Sequence, residues 1–196
     1  MELEQIFTEI MGLKNKELVA SLCKFSQIKR FKRNEIIIAK SEFPDEILIN
    51  VHGAYRGFFF DAEGNEITNS VTDEVGYVIT SCNAICEKSS SYLKAITDVT
   101  AVAMPRDKAH ILSSLYPELM AFYNEFLLRA SDKHLKAREV CFCCNAQEKY
   151  EWFLQTYPNL VDHMFAKDIA SFLQMTPVSL SRVRKDLNKN KRRKSK

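Results

Sequence analysis

The chain has 196 residues, 46% of them hydrophobic, and a formal net charge of +3, so it can bury the core of one large or two modest domains. No run approaches the roughly 20 apolar residues that span a bilayer, and the N-terminus lacks a charged-then-apolar secretory signal; the expectation is a cytoplasmic protein with no membrane partner. The charge is uneven: Arg182 to Lys196 carry nine basic residues against Asp186, a net of +8, which leaves −5 for the rest.

Residues 1–27 carry a helical pattern through Leu3, Ile6, Phe7, Ile10 and Met11, then a shorter one through Leu18, Val19 and Leu22. From Ile28 the texture changes to short apolar or alternating runs separated by Gly, Asn, Asp and Ser. They are Ile28–Phe31, Ile36–Ala39, Ile47–Val51, Tyr55–Phe60, Ile67–Val71, Tyr77–Ile79, Tyr92–Ala95 and Thr100–Met104, the pattern of an antiparallel barrel or sandwich. Asp61 to Asn65 is the clearest turn, with Gly64 free to take a positive φ.

Beyond Pro117 the spacing predicts a long helix. Met120, Tyr123, Leu127, Ala130, His134, Ala137 and Cys141 follow alternating steps of three and four, a coiled-coil seam that would face an identical subunit. Leu119, Phe122 and Phe126 form a second stripe suited to packing on the β region; the alternative is one broad buried face within a single chain. Asn145 and Glu148 then make a capping box for a further helix that should stop near Tyr157, before Pro158.

The segment Ala166–Leu187 reads as two short helices joined by a tight turn. Ile169, Ala170, Phe172 and Leu173 share one face of the first; Thr176 can cap the second, with Pro177 at its first position. Leu180, Val183 and Leu187 give the second helix its buried stripe and leave Ser179, Arg182 and Lys185 outward. Such a helix-turn-helix points to double-stranded DNA as a partner. The residues after Leu187 look too polar and too few for a packed β hairpin, so the expectation is a flexible basic tail touching phosphates and a wing that is truncated or absent.

Several of these segments resemble the Crp/Fnr superfamily of bacterial transcription regulators, from about Phe25 onward. Phe31 to Ile37 is similar to the family's entry strand, and Gly53-Ala-Tyr-Arg56 followed by Asp61-Ala-Glu-Gly64-Asn-Glu66 resembles its hairpin. Ala146 to Tyr150 with Phe153 and Pro158, then Lys167-Asp-Ile-Ala-Ser-Phe-Leu and Ser179-Leu-Ser-Arg182-Val-Arg184-Lys185, resemble its DNA-binding region. The resemblance implies an α+β chain divided into a cyclic-nucleotide-binding-like β roll (jelly roll) with N-terminal helices (1–116), a dimerisation helix (117–144) and a helix-turn-helix domain with a basic tail (145–196). It implies a homodimer on a roughly palindromic site, with RNA polymerase as a further partner. Thr176, Pro177, Val178, Ser179, Arg182, Arg184 and Lys185 would meet DNA, Arg182 being suited to guanine.

The effector region departs from the family pattern. It maps to Gly76, Tyr77 and Ser81 and then to Lys88, Ser89, Ser90 and Ser91. Tyr77 stands where cyclic-nucleotide binders have a Glu, and Ser89 where they have the phosphate-binding Arg. A serine triplet offers hydroxyls but no compensating charge, so cyclic AMP is not the expected effector; the alternatives are another, unknown small-molecule effector or no ligand at all. Six cysteines, at 23, 82, 86, 141, 143 and 144, show no paired C-x-x-C spacing, and the N-terminal helices hold only Cys23. No metal or cofactor is therefore expected. A redox switch at Cys141, Cys143 and Cys144 is one option, ordinary reduced thiols the other. No nucleophile, base and acid group appears, which points away from an enzyme. The rival to a DNA-binding regulator is a small-molecule-binding module whose degenerate helix-turn-helix contacts protein.

Overall fold

A computed structural model describes residues 2–80 and 88–194. A short helix α1 (Leu3–Gln5) runs into a π turn (Ile6–Ile10) and is followed by α2 (Lys16–Phe25), whose first turn is capped by the Asn15 side chain. Among the described residues eight strands come next: β1 (Gln27–Phe31), β2 (Ile36–Ile38), β3 (Glu46–His52), β4 (Tyr55–Phe60), β5 (Glu66–Thr72), β6 (Val78–Ile79), β7 (Tyr92–Ala95) and β8 (Val99–Pro105). They pair antiparallel in two sheets, ordered β1-β8-β3-β6 and β2-β7-β4-β5, the β roll expected from the alternating runs. Ile38, Leu48, Tyr55, Ile79, Leu93 and Val99 are among the buried residues that fill the space between the sheets.

The β4–β5 hairpin is pinned by its turn. Asp61 Oδ1 accepts from the backbone N–H of Glu63 and Asn65 at 2.9 and 2.8 Å, and Gly64 takes φ +83°. Hydrogen bonds from the Asn65 backbone and side chain hold the Asp61 carboxyl below its ordinary pKa. Gly53 between β3 and β4 is more constrained: φ is +93°, and a Cβ there would lie 2.1 Å from the Asp98 carbonyl oxygen.

Among the described residues, five α-helices and a 3-10 turn follow the roll. α3 (Arg106–Leu115) was not legible in the sequence, because only Ala109 and Leu112 are buried while Ile111 and Leu115 are exposed. The long α4 (Pro117–Cys143) lies against the first sheet and the N-terminal helices; its Leu119 and Phe126 share a core with Ile6, Phe7, Leu22, Ile49 and Val102. The Glu118 carboxylate ties the two ends of this layer together by accepting from the backbone N–H of Lys14 and Asn15. α5 (Ala146–Thr156) begins at the expected Asn145–Glu148 capping box and leads through a 3-10 turn (Pro158–Leu160) to α6 (Ala166–Phe172) and α7 (Pro177–Lys194). Phe153, Tyr157, Leu160, Ile169, Leu173 and Leu180 form the core of these C-terminal helices, and Ala54, Val71 and Ile96 of the roll belong to the same cluster.

The expected flexible tail is corrected. α7 continues past Leu187 to Lys194, since the stretch has no Gly or Pro to stop it and its Lys and Arg are good helix formers. Among the described residues no strand follows α7, and no helix is long and apolar enough to cross a membrane. Replacing Gly64 by Ala, where open space surrounds the missing Cβ, should cost about 1–2 kcal/mol in urea denaturation for its positive φ alone. Gly53→Ala adds a backbone clash and should cost about 3–4 kcal/mol.

Candidate nucleic-acid interface and effector cavity

The helix-turn-helix is built locally as its residue types require. After α6 the chain turns at Gln174, which takes φ +51°. Thr176 Oγ1 accepts from the Ser179 N–H at 3.1 Å, satisfying a free donor of the first turn of α7, and Pro177 occupies the position where its missing N–H costs nothing. Leu180 is fully buried and Val183 and Leu187 pack on the same cluster, so the opposite side of α7 is turned to solvent. Thr176, Pro177, Val178, Arg182 and Lys185 are exposed there, and Ser179 is half-buried with its hydroxyl against that of Thr176 at 2.9 Å. Among the described residues no carboxylate pairs with Arg182 or Lys185. Arg184 behaves differently. Its Nε donates to the Tyr150 hydroxyl at 3.0 Å and its guanidinium lies over the Tyr150 ring at 5.3 Å, which braces α7 against α5.

The C-terminal helices are fastened to the roll by polar contacts that cross the shared apolar cluster. Arg56 on β4 is buried and hydrogen-bonds Glu66; its Nη1 donates to Thr68 Oγ1 at 3.0 Å and its Nε lies 3.6 Å from Asp168 Oδ2 in the first turn of α6. The Thr68 N–H donates to Ser171 Oγ at 2.9 Å, and Arg33 donates to the His163 carbonyl oxygen at 3.0 Å. Burial pushes both carboxyls of this cluster upward in pKa. At Glu66 the direct hydrogen bond and charge of Arg56 overcome it and the net direction is down; at Asp168, farther from the guanidinium and with Oδ1 lacking a hydrogen-bond partner among the described residues, burial prevails and the net direction is up.

A cavity of about 490 Å³ opens where the three parts meet. One wall is β5 with Asn69, Ser70 and Thr72, together with Tyr77 just before β6; the second is α4 with Phe126, Lys133, His134 and Arg138; the third is the C-terminal helices, through Tyr157 and Phe172. Of the expected effector residues, Tyr77, Ser90 and Ser91 line it. Gly76 instead turns the chain beneath Ile10, Lys88 is exposed, and Ser89 is buried with its hydroxyl donating to the Ser91 carbonyl oxygen at 2.5 Å. Ser81 lies outside the described residues, as do Cys82 and Cys86. The cavity's basic residues were missed by the sequence reading, because they reside on α4 rather than in the serine segment.

Most of the seam row on α4 is turned inward. Tyr123, Leu127 and Ala130 pack on the N-terminal core and Ala137 on the C-terminal one, Cys141 is buried, and Leu127, Ala130, His134 and Ala137 also line the cavity. His134 stays solvent-exposed, and desolvation of the part that faces the cavity lowers its imidazole pKa. Met120 stays exposed. The row left open lies one residue on, about 100° around the helix: Leu128 at 69% exposure, Leu135 at 61% and Phe142 at 69%, each seven apart. Cys141 is a buried thiol whose Sγ lies 3.4 Å from the Phe172 carbonyl oxygen and whose pKa burial raises; Cys23, Cys143 and Cys144 are also free thiols. Among the described residues no three or more His, Cys, Asp or Glu side chains gather as a metal site.

An antiparallel β roll, a long helix and a helix-turn-helix, in this order, make up the fold of the Crp/Fnr transcriptional regulators, and this chain has that fold. The likeness is to solved structures at low identity. FixK2 from Bradyrhizobium japonicum superposes with a TM-score of 0.72 at 15% identity over 84% of this chain and 85% of its own. A cyclic nucleotide-binding domain containing protein from Listeria monocytogenes gives 0.69 at 13% over 97% and 92%, and a CRP-family transcriptional regulator from Thermus thermophilus gives 0.67 at 16% over 83% and 85%. No protein-family model and no curated protein sequence matches the chain.

Removing Arg56 leaves Asp168, among the described residues, without an ion-pair partner in the contact between roll and helices, and leaves Glu66 with only Lys94, whose Nζ lies 3.6 Å from Oε1. Arg56→Met should destabilise the chain by about 3–5 kcal/mol at pH 7. Without the cation, the folded pKa of Asp168, which burial already raises, climbs further above the unfolded value, so the penalty is full above the folded pKa and fades as pH falls below the unfolded one. Denaturant melts of both proteins between pH 4 and pH 7 measure this convergence.

Proposed function

We propose that this chain is a DNA-binding transcriptional regulator that works as a cytoplasmic homodimer on a roughly palindromic site, with a small molecule other than cyclic AMP as effector. The observation that carries the reading is the solvent face of α7: a capped helix N-terminus presenting Thr176, Pro177, Val178 and Arg182, with the exposed Lys185 behind it. Arg182 donates its fork to guanine O6 and N7; Pro177 and Val178 can only make apolar contact, for which a thymine methyl is the match. Thr176, Ser179 and Lys185 serve phosphates, and Arg184, held by Tyr150, positions the helix while its remaining N–H groups reach the backbone. RNA polymerase follows as a partner if the regulator activates transcription. The reading is of a binding protein rather than an enzyme.

The dimer in this reading runs along α4 through the open row Leu128, Leu135 and Phe142, with the exposed Met120 near one end. Seven-residue spacing repeats one helix position, as a parallel pairing of two copies requires. A second reading, in which the helix-turn-helix grips another protein, draws on Val178, which is 61% exposed beside Pro177. Salt dependence separates the two, since release of counterions from phosphates makes duplex binding fall steeply with salt.

Arg182→Ala should weaken binding to the preferred duplex by about 1–3 kcal/mol and relax the base preference at one position per half-site, measured by fluorescence anisotropy on a panel of single-base variants. An unchanged preference removes Arg182 from base reading. Leu135→Glu places like charges against each other across the proposed pairing, and sedimentation velocity should report a monomer where the parent chain is a dimer.

A further inference from the structure

The cavity between the roll, α4 and the C-terminal helices has a charge pattern that selects its ligand. Among its described lining residues none is Asp or Glu, while Lys133 and Arg138 are cationic. Lys133 shares the Glu74 carboxylate with Arg129, so its charge is answered. Arg138 is exposed at the mouth and has no carboxylate partner among the described residues; its neighbour is the Phe142 ring at 6.0 Å. A guanidinium placed this way meets a carboxylate, sulfonate or phosphate with two parallel hydrogen bonds.

The remainder of the described lining combines five Phe and Tyr rings with seven hydroxyl or amide side chains, four aliphatic residues and His134. Tyr77 stands edge-on to Phe126 at 4.8 Å, and Tyr157 and Phe172 close the side that belongs to the C-terminal helices. At about 490 Å³ the space falls in the range that takes an organic molecule rather than a bare ion. We propose that this cavity binds a small organic anion with an aromatic body, its charge on Arg138 and its rings between Tyr77 and Phe172. The proposal rests on the effector reading of the cavity and adds the ligand's class. Such a ligand touches the sensor sheet, the long helix and the first helix of the helix-turn-helix at once, so any difference in its contacts between two arrangements of these parts biases that equilibrium directly.

The molecule carries its own reporter. Trp152 is the only tryptophan, and its ring stacks on Phe172 at 6.3 Å and stands edge-on to Tyr157 at 5.8 Å, the two residues that form the third wall. The test titrates the full chain, without DNA, with anilinonaphthalene sulfonate, read by energy transfer from Trp152, and in parallel with the uncharged N-phenylnaphthylamine. The expected result is saturable binding of the sulfonate that weakens about fivefold or more in Arg138→Gln, is largely retained in Arg138→Lys, and has no counterpart with the uncharged probe. Sulfonate binding unchanged by Arg138→Gln, or equal weakening of both probes, overturns the proposal. Because no DNA is present, failure here is distinct from failure of the regulator reading.

Discussion

The position of the helix-turn-helix depends on the contact between α6 and the β4–β5 hairpin. An apolar cluster shared by Ala54, Val71, Ile96 and the C-terminal helices supplies the attraction, and it is non-directional. Direction comes from Arg56, a buried cation that has to be answered by anions at defined places: Glu66 on its own hairpin and Asp168 on α6. An alternative docking of α6 that lost this pairing would strand buried charge, so the polar contacts select one arrangement among those the apolar surface would accept. The two carboxylates are unequal. Glu66 is held ionised by direct hydrogen bonding, while Asp168 is only partly compensated, which makes the α6 side of the contact the more readily broken.

The cavity sits beside this contact and shares residues with both sides of it. Phe172 ends α6, and its carbonyl oxygen is met by Cys141 of α4, so the long helix, the cavity wall and the helix-turn-helix meet within a few side chains. A ligand between Tyr77 and Phe172 therefore acts on the same interface that Arg56 orients. In this account regulation is a competition between two dockings of α6 and α7, and the spacing of two recognition helices in a dimer is its output.

Much of the fold was legible in the sequence because the roll obeys local rules. Alternating runs broken by turn residues marked the eight strands of the described residues to within a residue or two, and the caps at Asn145 and Thr176 were readable from residue type and spacing. α3 was missed because its apolar residues do not share one face. On α4, Leu119, Phe122 and Phe126 run beside Tyr123, Leu127 and Ala130, and a periodic pattern cannot say whether such a broad stripe meets a partner or its own chain; the packing turned it inward. The solvent face of α7 followed from the buried stripe Leu180, Val183 and Leu187, but the contact of Arg184 with Tyr150 was not legible, because Tyr150 lies far away in sequence. The same distance hid the pairing of Arg56 with Asp168, and the cavity's cations, for no local pattern records what β4 or β5 meets across the fold.

The most direct test of the account is selection of genomic DNA fragments by the purified full chain, followed by salt titration on the enriched duplex and on a scrambled one. The account predicts an enriched sequence with two-fold symmetry that is bound far better than its scramble at every salt concentration. Equal, weak and salt-sensitive binding to both would contradict it, leaving the charge of α7 as a nonspecific attraction and the helix-turn-helix as a surface for another protein.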